Sequence, residues 1–527
     1  MTTEITASTL RKWLYDGDEL ALLDVREPGQ IVLGHILFSA PLPWSRFEAD
    51  LGRLVPNPSV RMVLCDAGDG IALRAAQQAA MLGYSNVSIL QGGVKSWAAA
   101  GHTLYEGVNV PSKAFGELVE HVADTPRMDA MSVARLAGAV DHIIVDGRPS
   151  DEFRKMSIPN ATCCPNGELA LRIRELAPDP ETTIIVNCAG RTRSIIGAQT
   201  LIDFGVPNPT YAMENGTQGW VLAGLELDRG KDSQLPGMPE ALDGPRSEAA
   251  EMAARFGVEA VSGKTLQAWH ADESRTTCVL DVRSAEERDR DPDARKALLD
   301  SHRVVHAPGG QLVQATDQWI AVRNARIVLL DTEDVRSKVT ASWLRRLGHN
   351  AYTLIGGVDA LADLSAPSRT RAWQATPVPS ITAAAAVTEL EKSDAMIIDL
   401  RSSAAYRQGH VAGSTWSIRP RLPDNTGDRP VFLISDDPDV AALAAADLTG
   451  SGTTRVAIVD GGFEACRAAG ATIVTAASTP EDVERIDFLS FTHGRHDGNE
   501  QASRQYLAWE IALVDQLDSD ERAVFRI

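Results

Sequence analysis

The sequence predicts an α/β fold of four tandem copies of one unit, each a small parallel sheet with helices on both faces, plus a helical C-terminal tail. Three observations carry this. Four apolar runs end in an acidic-x-Arg triplet, at Asp24–Arg26, Asp146–Arg148, Asp281–Arg283 and Asp399–Arg401, with intervals of 122, 135 and 118 residues. A second apolar run follows each (RMVLC, TIIVN, RIVLL, VFLI), and after it a helical pattern. A third short run leads to Gly-Gly or a variant: ILQGG, YAMENG, TLIGG and AIVDGG. Such short β-branched and aliphatic runs between helices read as parallel strands buried on both faces, closed into a sandwich by right-handed crossovers.

In chain order, each copy opens with a helix-start signal: ITASTL, DAMSVARL, AVSGKTL and SITAAAAV. These place domains at 1–110, 128–229, 258–372 and 378–475, with a tail at 476–527. A helical linker falls near 111–123 and a Pro/Gly/Glu-rich linker near 230–260. The tail carries a helical stripe of Ala502, Tyr506, Trp509, Leu513 and Leu517 that is expected to pack on the repeats. His493, Arg495 and His496 are its candidates for reaching a substrate.

A chain of 527 residues, 44% hydrophobic and 23% charged, has the composition of a soluble multidomain protein. No apolar run approaches the roughly 18 residues a membrane span needs, and MTTEITASTLRKW is no secretory signal. Six cysteines are too few for a disulfide scaffold, and no Cys/His spacing suggests zinc, so a reducing cytoplasm is expected and no metal or organic cofactor. The net charge of -20 argues against nucleic acid or an anionic membrane as partner.

The order of motifs resembles the rhodanese family. The strand with Asp-x-Arg is followed by a Gly-His-Ile-like turn (Gly34-His35-Ile36, Gly409-His410-Val411), then a strand ending in a Cys loop. A Leu-x-x-x-Gly helix end and Gly-Gly-x-x-x-Trp complete it, from Gly92 to Trp97 and, with Asn for the first Gly, from Asn215 to Trp220. The likeness runs from about residue 5 to residue 475, and the arrangement looks like that of the bacterial four-domain thiosulfate sulfurtransferases. It implies a cysteine that accepts sulfane sulfur and passes it to a thiophilic acceptor.

Two cysteines follow second strands, Cys65 and Cys188, and register separates them. Cys188 lies 42 residues after Asp146 and 17 before Gly205; the same rulers in the first copy land on Asp66. The nucleophile position therefore reads Asp66, Cys188, Asp331 and Ser435, with Cys65 as a core residue. The loop Cys188-Ala189-Gly190-Arg191-Thr192-Arg193 carries two positive charges, whereas the other three loops are acidic. A charge pair 4 Å apart is worth about 4 kcal/mol at an effective dielectric of about 20, so an anionic donor should prefer this loop.

The site expected from this is Cys188 as nucleophile, with Ala189, Gly190, Arg191, Thr192, Arg193 and Ser194 binding substrate. A helix starting near Arg193-Ser194 should aim its N–H groups at the sulfur, with Gly190 letting the loop curl and both arginines adding charge, all favouring an anion at Cys188. A Cys-dependent phosphatase needs Arg six residues after the cysteine, where Ser194 stands; a dithiol oxidoreductase needs a second cysteine at Arg191. Sulfur transfer fits both facts. Expected partners are thiosulfate or a similar donor and a small thiol or cyanide as acceptor, with a homodimer allowed. The alternatives are a mercaptopyruvate-type enzyme and a non-catalytic scaffold of degenerate modules. Asp146–Arg148 reads as a structural pair, and Cys163, Cys164, Cys278 and Cys466 as core.

Overall fold

The computed structural model describes residues 3–136, 141–232, 235, 237–367, 373–392, 394–424, 426, 428–490 and 499–527. Four sheets share one topology. In the first, the strands run Thr3–Ile5, Val87–Leu90, Met62–Cys65, Leu20–Asp24 and Ala40–Pro41 across the sheet. In the second they run Arg127–Met128, Thr210–Met213, Thr183–Asn187, His142–Asp146 and Thr162–Cys163. The third has Glu259–Val261, Asn350–Leu354, Arg326–Leu330, Thr277–Asp281 and Val305–His306 in the same places. The fourth has Ser380–Thr382, Val456–Asp460, Val431–Ile434, Met396–Asp399 and Thr415–Trp416. All these pairings are parallel. Leu20–Asp24 and Thr183–Asn187 are buried along their whole length, as unbroken apolar runs require when helices cover both faces.

The acidic-x-Arg triplets are staples. Arg26, Arg148, Arg283 and Arg401 pair with the aspartate two residues earlier at 2.6–2.8 Å. Each reaches a further acceptor eight residues on: the carbonyls of Gly34, Met156 and Gly409, or the Asp291 carboxylate. The pair occurs with or without the cysteine, so its role is to lock the turn after the strand.

The units are fused. Val322–Arg323 from the third adds antiparallel to Leu20–Asp24 of the first, giving a six-stranded sheet. The Trp343 indole N–H donates to Thr200 between the third and second units at 2.8 Å, and Arg419 of the fourth pairs with Glu48 of the first at 2.8 Å. The first linker is the helix Val110–Ala123, buried along most of its length. The second holds a helix, Asp243–Arg255, that its Pro/Gly-rich flanks do not announce. The tail forms helices Glu500–Ile511, Leu513–Gln516 and Ser519–Val524, and Phe525 joins the core beside Phe38 and Phe115.

His35, in the Gly-His-Ile turn, is buried with Nδ1 3.3 Å from the Ile31 carbonyl. Burial pushes its pKa from 6.5 down to about 4, so the fold holds it neutral. Its contribution to stability is complete above the unfolded value and is lost as pH falls through the folded one. The expected result is that His35→Asn flattens the loss of the thermal midpoint between about pH 6.5 and pH 4 relative to the unaltered chain.

Candidate active site

The strand Thr183–Asn187 delivers Cys188, and the helix Thr192–Phe204 begins four residues later, slightly before the start expected from sequence. The second glycine of each Gly-Gly motif identifies the equivalent residue in every unit. The Thr217 amide donates to the Cys188 carbonyl at 2.8 Å, as Val94 does to Asp66 at 2.9 Å and Val358 to Asp331 at 3.1 Å. A Cβ on Gly216, Gly93, Gly357 or Gly462 would meet the carbonyl oxygen of Cys188, Asp66, Asp331 or Ser435 at 2.3, 2.3, 2.0 and 3.2 Å. Asp66, Cys188, Asp331 and Ser435 thus occupy one position. Cys65 sits one residue earlier, in the core, its thiol 3.5 Å from the Leu23 carbonyl and its pKa pushed up by burial.

The loops differ in what fills them. The Asp66 carboxylate accepts from the amides of Gly68, Gly70 and Ala72 at 2.8, 3.0 and 3.0 Å. Asp331 accepts from the amides of Asp334, Val335 and Ser337 at 3.0, 3.0 and 3.3 Å. In the fourth unit Asp437 caps the helix through the amides of Asp439 and Val440. At Cys188, among the described residues, no side chain caps the helix N-terminus. Two units therefore hold a built-in anion in the cradle, and the second holds a buried thiol beside an uncapped helix end.

The arginines depart from expectation. Neither is a bare charge. Arg191 donates to both oxygens of Glu117 at 2.7 Å and also pairs with Glu120, both on the linker helix. Arg193 makes a two-pronged pair with Glu152 at 2.8 Å. The same pair recurs in the third unit, which has Asp331 in place of the loop thiol, as Arg336–Glu287 at 2.7 Å. Carboxylates raise both guanidinium pKa values despite burial and cancel most of their field at long range. What remains for an anion is short-range: the loop amides and the helix end.

Gly190 does not have the positive φ that a curled loop would require. Its lack of a side chain matters for space, since a Cβ there would lie 3.3 Å from Gln218 Nε2 and from Glu510 Oε2. Gln218 holds the loop from below, its amide donating to the Ala189 carbonyl at 3.1 Å.

Glu510 belongs to the tail helix, so the tail lies directly on the loop. The Thr192 hydroxyl donates to Glu510 Oε1 at 2.5 Å, and Lys113 of the linker helix pairs with Glu510 at 3.4 Å and donates to the Tyr506 hydroxyl. Lys113, Glu117, Gln218, Tyr506 and Glu510 carry no signal in sequence beyond apolar helical spacing, because they lie far along the chain from the cysteine. His493, Arg495 and His496 fall outside the described residues. Cys163 and Cys278 have thiol pKa values pushed up to about 12, chiefly by burial, and Cys164 and Cys466 are also raised. Among the described residues no group of three or more His, Cys, Asp or Glu is arranged to hold a metal ion, and no helix is long and apolar enough to cross a membrane.

Comparison with known proteins agrees with this architecture. The rhodanese-like domain family matches residues 6–100, 129–223 and 382–469; the third sheet lies outside these matches yet has their strand order. A crystal structure of a thiosulfate sulfurtransferase from Pseudomonas aeruginosa superposes with a TM-score of 0.88 at 37% identity, covering 100% of this chain and 99% of that one. The thiosulfate sulfurtransferase GlpE of Pseudomonas entomophila is 32% identical over 82 residues, which are 15% of this chain and 75% of GlpE. The probable adenylyltransferase/sulfurtransferase MoeZ of Mycobacterium tuberculosis is 35% identical over 97 residues, 18% of this chain and only 24% of MoeZ. Four sheets of one topology, a thiol loop in the second, and a full-length relative of known structure lead to one conclusion: this chain belongs to the rhodanese family of sulfurtransferases.

Proposed function

We propose that the chain transfers sulfane sulfur from thiosulfate to a thiophilic acceptor through a persulfide on Cys188, with one active site in the second of four domains. The domains are assigned to 1–110, 128–229, 258–372 and 378–475, followed by the tail. The observation that carries the reading is the contrast at one shared position. Cys188 alone of the four is a thiol, and among the described residues no side chain caps the 13-residue helix that begins beside it, whereas Asp66, Asp331 and Asp437 take the helix-start amides of the other three. The thiolate attacks the outer sulfur of thiosulfate and sulfite leaves; cyanide or a small thiol then takes the sulfur and returns the thiolate. The amides of residues 189–194 and the helix end stabilise the charge that passes through the loop. Arg191 and Arg193 act on this reading by holding the loop in place through their carboxylates rather than by adding net charge. No cofactor enters the scheme, and a reducing cytoplasm suits its reactive thiol.

The experiment is intact-protein mass measurement after thiosulfate. One added sulfur atom, confined to the Cys188 peptide, is expected. A protein that takes up none is the non-catalytic scaffold suggested by the three units without a nucleophile.

A related prediction concerns the first domain. In a Cys188→Ser background, Asp66→Cys is expected to form no persulfide, although it removes the anion from the cradle. The new thiol would face Asp69, a like-charged neighbour that raises a thiol's pKa and repels thiosulfate. Persulfide formed by this change alone would show that loop charge does not separate active from silent domains.

A further inference from the structure

The third domain displays an anion bound in a loop equivalent to that of Cys188, and one of its contacts reveals an unused group in the second. Besides three amides, Asp331 Oδ1 accepts from the Ser337 hydroxyl at 3.0 Å. Ser337 stands six residues after Asp331, and Ser194 stands six after Cys188. The structure itself ties these positions together. The preceding residues, Arg336 and Arg193, make the same ion pair with Glu287 and Glu152, although the second loop enters its helix one residue earlier. Ser194 is fully buried, and among the described residues its hydroxyl has no hydrogen-bond partner. A buried hydroxyl left unpaired costs free energy and calls for an explanation.

An aspartate side chain and a cysteine persulfide have the same outline. In both, the charged atom lies two bonds beyond Cβ: an oxygen after Cγ in one, the outer sulfur after Sγ in the other. We propose that the outer sulfur of the Cys188 persulfide lies where the Asp331 oxygen lies in the third domain, and that the Ser194 hydroxyl donates a hydrogen bond to it. Ser194 is then a catalytic residue of the sulfur-loaded enzyme, with no partner until sulfur arrives. The assignment rests on the sulfur-transfer reading above.

The chemistry balances without a proton from serine. The Cys188 thiolate bonds the outer sulfur of thiosulfate, and the donor's sulfur–sulfur bond breaks with its electron pair leaving on sulfite. The acceptor nucleophile later bonds that sulfur, and the bond to Cys188 breaks with its pair returned to the thiolate. Between these steps the outer sulfur carries the negative charge, and the hydroxyl meets it there. By the same comparison Ala72 and Ala441, six residues after Asp66 and Ser435, have no hydroxyl to offer.

The test is Ser194→Ala in the full chain. The sulfur-free variant is expected to melt at or above the midpoint of the unaltered enzyme, since an unpaired buried hydroxyl has been removed. Its loading equilibrium, persulfide formed against added sulfite, is expected to fall roughly ten- to a hundredfold, the worth of one hydrogen bond to a charged group. A merely structural serine would instead lower the sulfur-free midpoint and leave loading unchanged, which overturns the proposal. A second arm needs no sulfur chemistry. In a Cys188→Asp background the carboxylate should take up the hydroxyl, so adding Ser194→Ala there should lower the unfolding equilibrium by about tenfold or more, unlike in the unaltered chain. Absence of that coupling also overturns the proposal. An unaltered enzyme that takes up no sulfur refutes the transfer reading itself, whereas normal loading that Ser194→Ala leaves untouched refutes only the role of Ser194.

Discussion

Cys188→Ser is expected to reduce sulfur transfer by about a thousandfold or more, the scale seen when a covalent nucleophile is removed. A serine hydroxyl at neutral pH is a far weaker nucleophile toward sulfur than a thiolate, and no neighbouring base in this loop would activate it. Cys65→Ser is the paired control. Its thiol is buried in the sheet with Leu23 carbonyl as its polar neighbour, and the Asp66 side chain, one residue on, takes the loop amides. Turnover should survive, with a stability cost of about 1–3 kcal/mol for placing a hydroxyl in the core. Steady-state transfer to cyanide, with thermal midpoints alongside, checks both. Substantial activity in the Cys188 variant would mean that the register of the four loops does not identify the nucleophile.

Arg191→Ala should be the most destabilising change near the site, at about 3–5 kcal/mol, because it strands the buried Glu117 carboxylate without its cation, whereas Glu120 keeps Arg127 at 3.4 Å. Glu117 is 5% exposed, so water cannot replace the guanidinium there. The Glu117 carboxyl is already raised in pKa, first by burial, with Arg191 opposing the rise. Without Arg191 it rises further. A carboxyl whose folded pKa exceeds its unfolded value gives stability that is present below the unfolded value and lost as pH climbs through the folded one. Arg191→Ala should therefore lose more stability at pH 8 than at pH 5, and Glu117→Gln added to it should recover part of the loss. Denaturant midpoints at the two pH values measure this. Arg193→Ala is expected to cost less, because its partner Glu152 is 41% exposed and can rehydrate. Equal losses for the two arginines would show that burial of the carboxylates is not what sets the cost.

The residues were legible to different degrees, and for physical reasons. Sequence alone determined the repeat, the strand order's parallel character and the register that places Cys188 level with Asp66, Asp331 and Ser435. Each rests on local regularities: apolar strand runs, helix lengths that end at Gly83, Gly205, Gly348 and Gly452, and the Asp-x-Arg staple, all set by contacts within one domain. Those rulers separate Cys188 from Cys65 by one residue, and the second-glycine contacts measure the same register independently. Only the tertiary structure decided the electrostatics. Arg191 meets Glu117 and Glu120 across 74 and 71 residues of chain, and Thr192 meets Glu510 across 318. A charge written in a loop is worth what its neighbours leave of it, and neighbours brought from a linker helix and a distant tail have no local pattern to betray them. The aspartates show the same limit from the other side. As letters, Asp66 and Asp331 only lack the thiol that Cys188 has; folded, each carboxylate occupies the cradle its own loop forms, because backbone amides at a helix start bind whatever anion lies within reach.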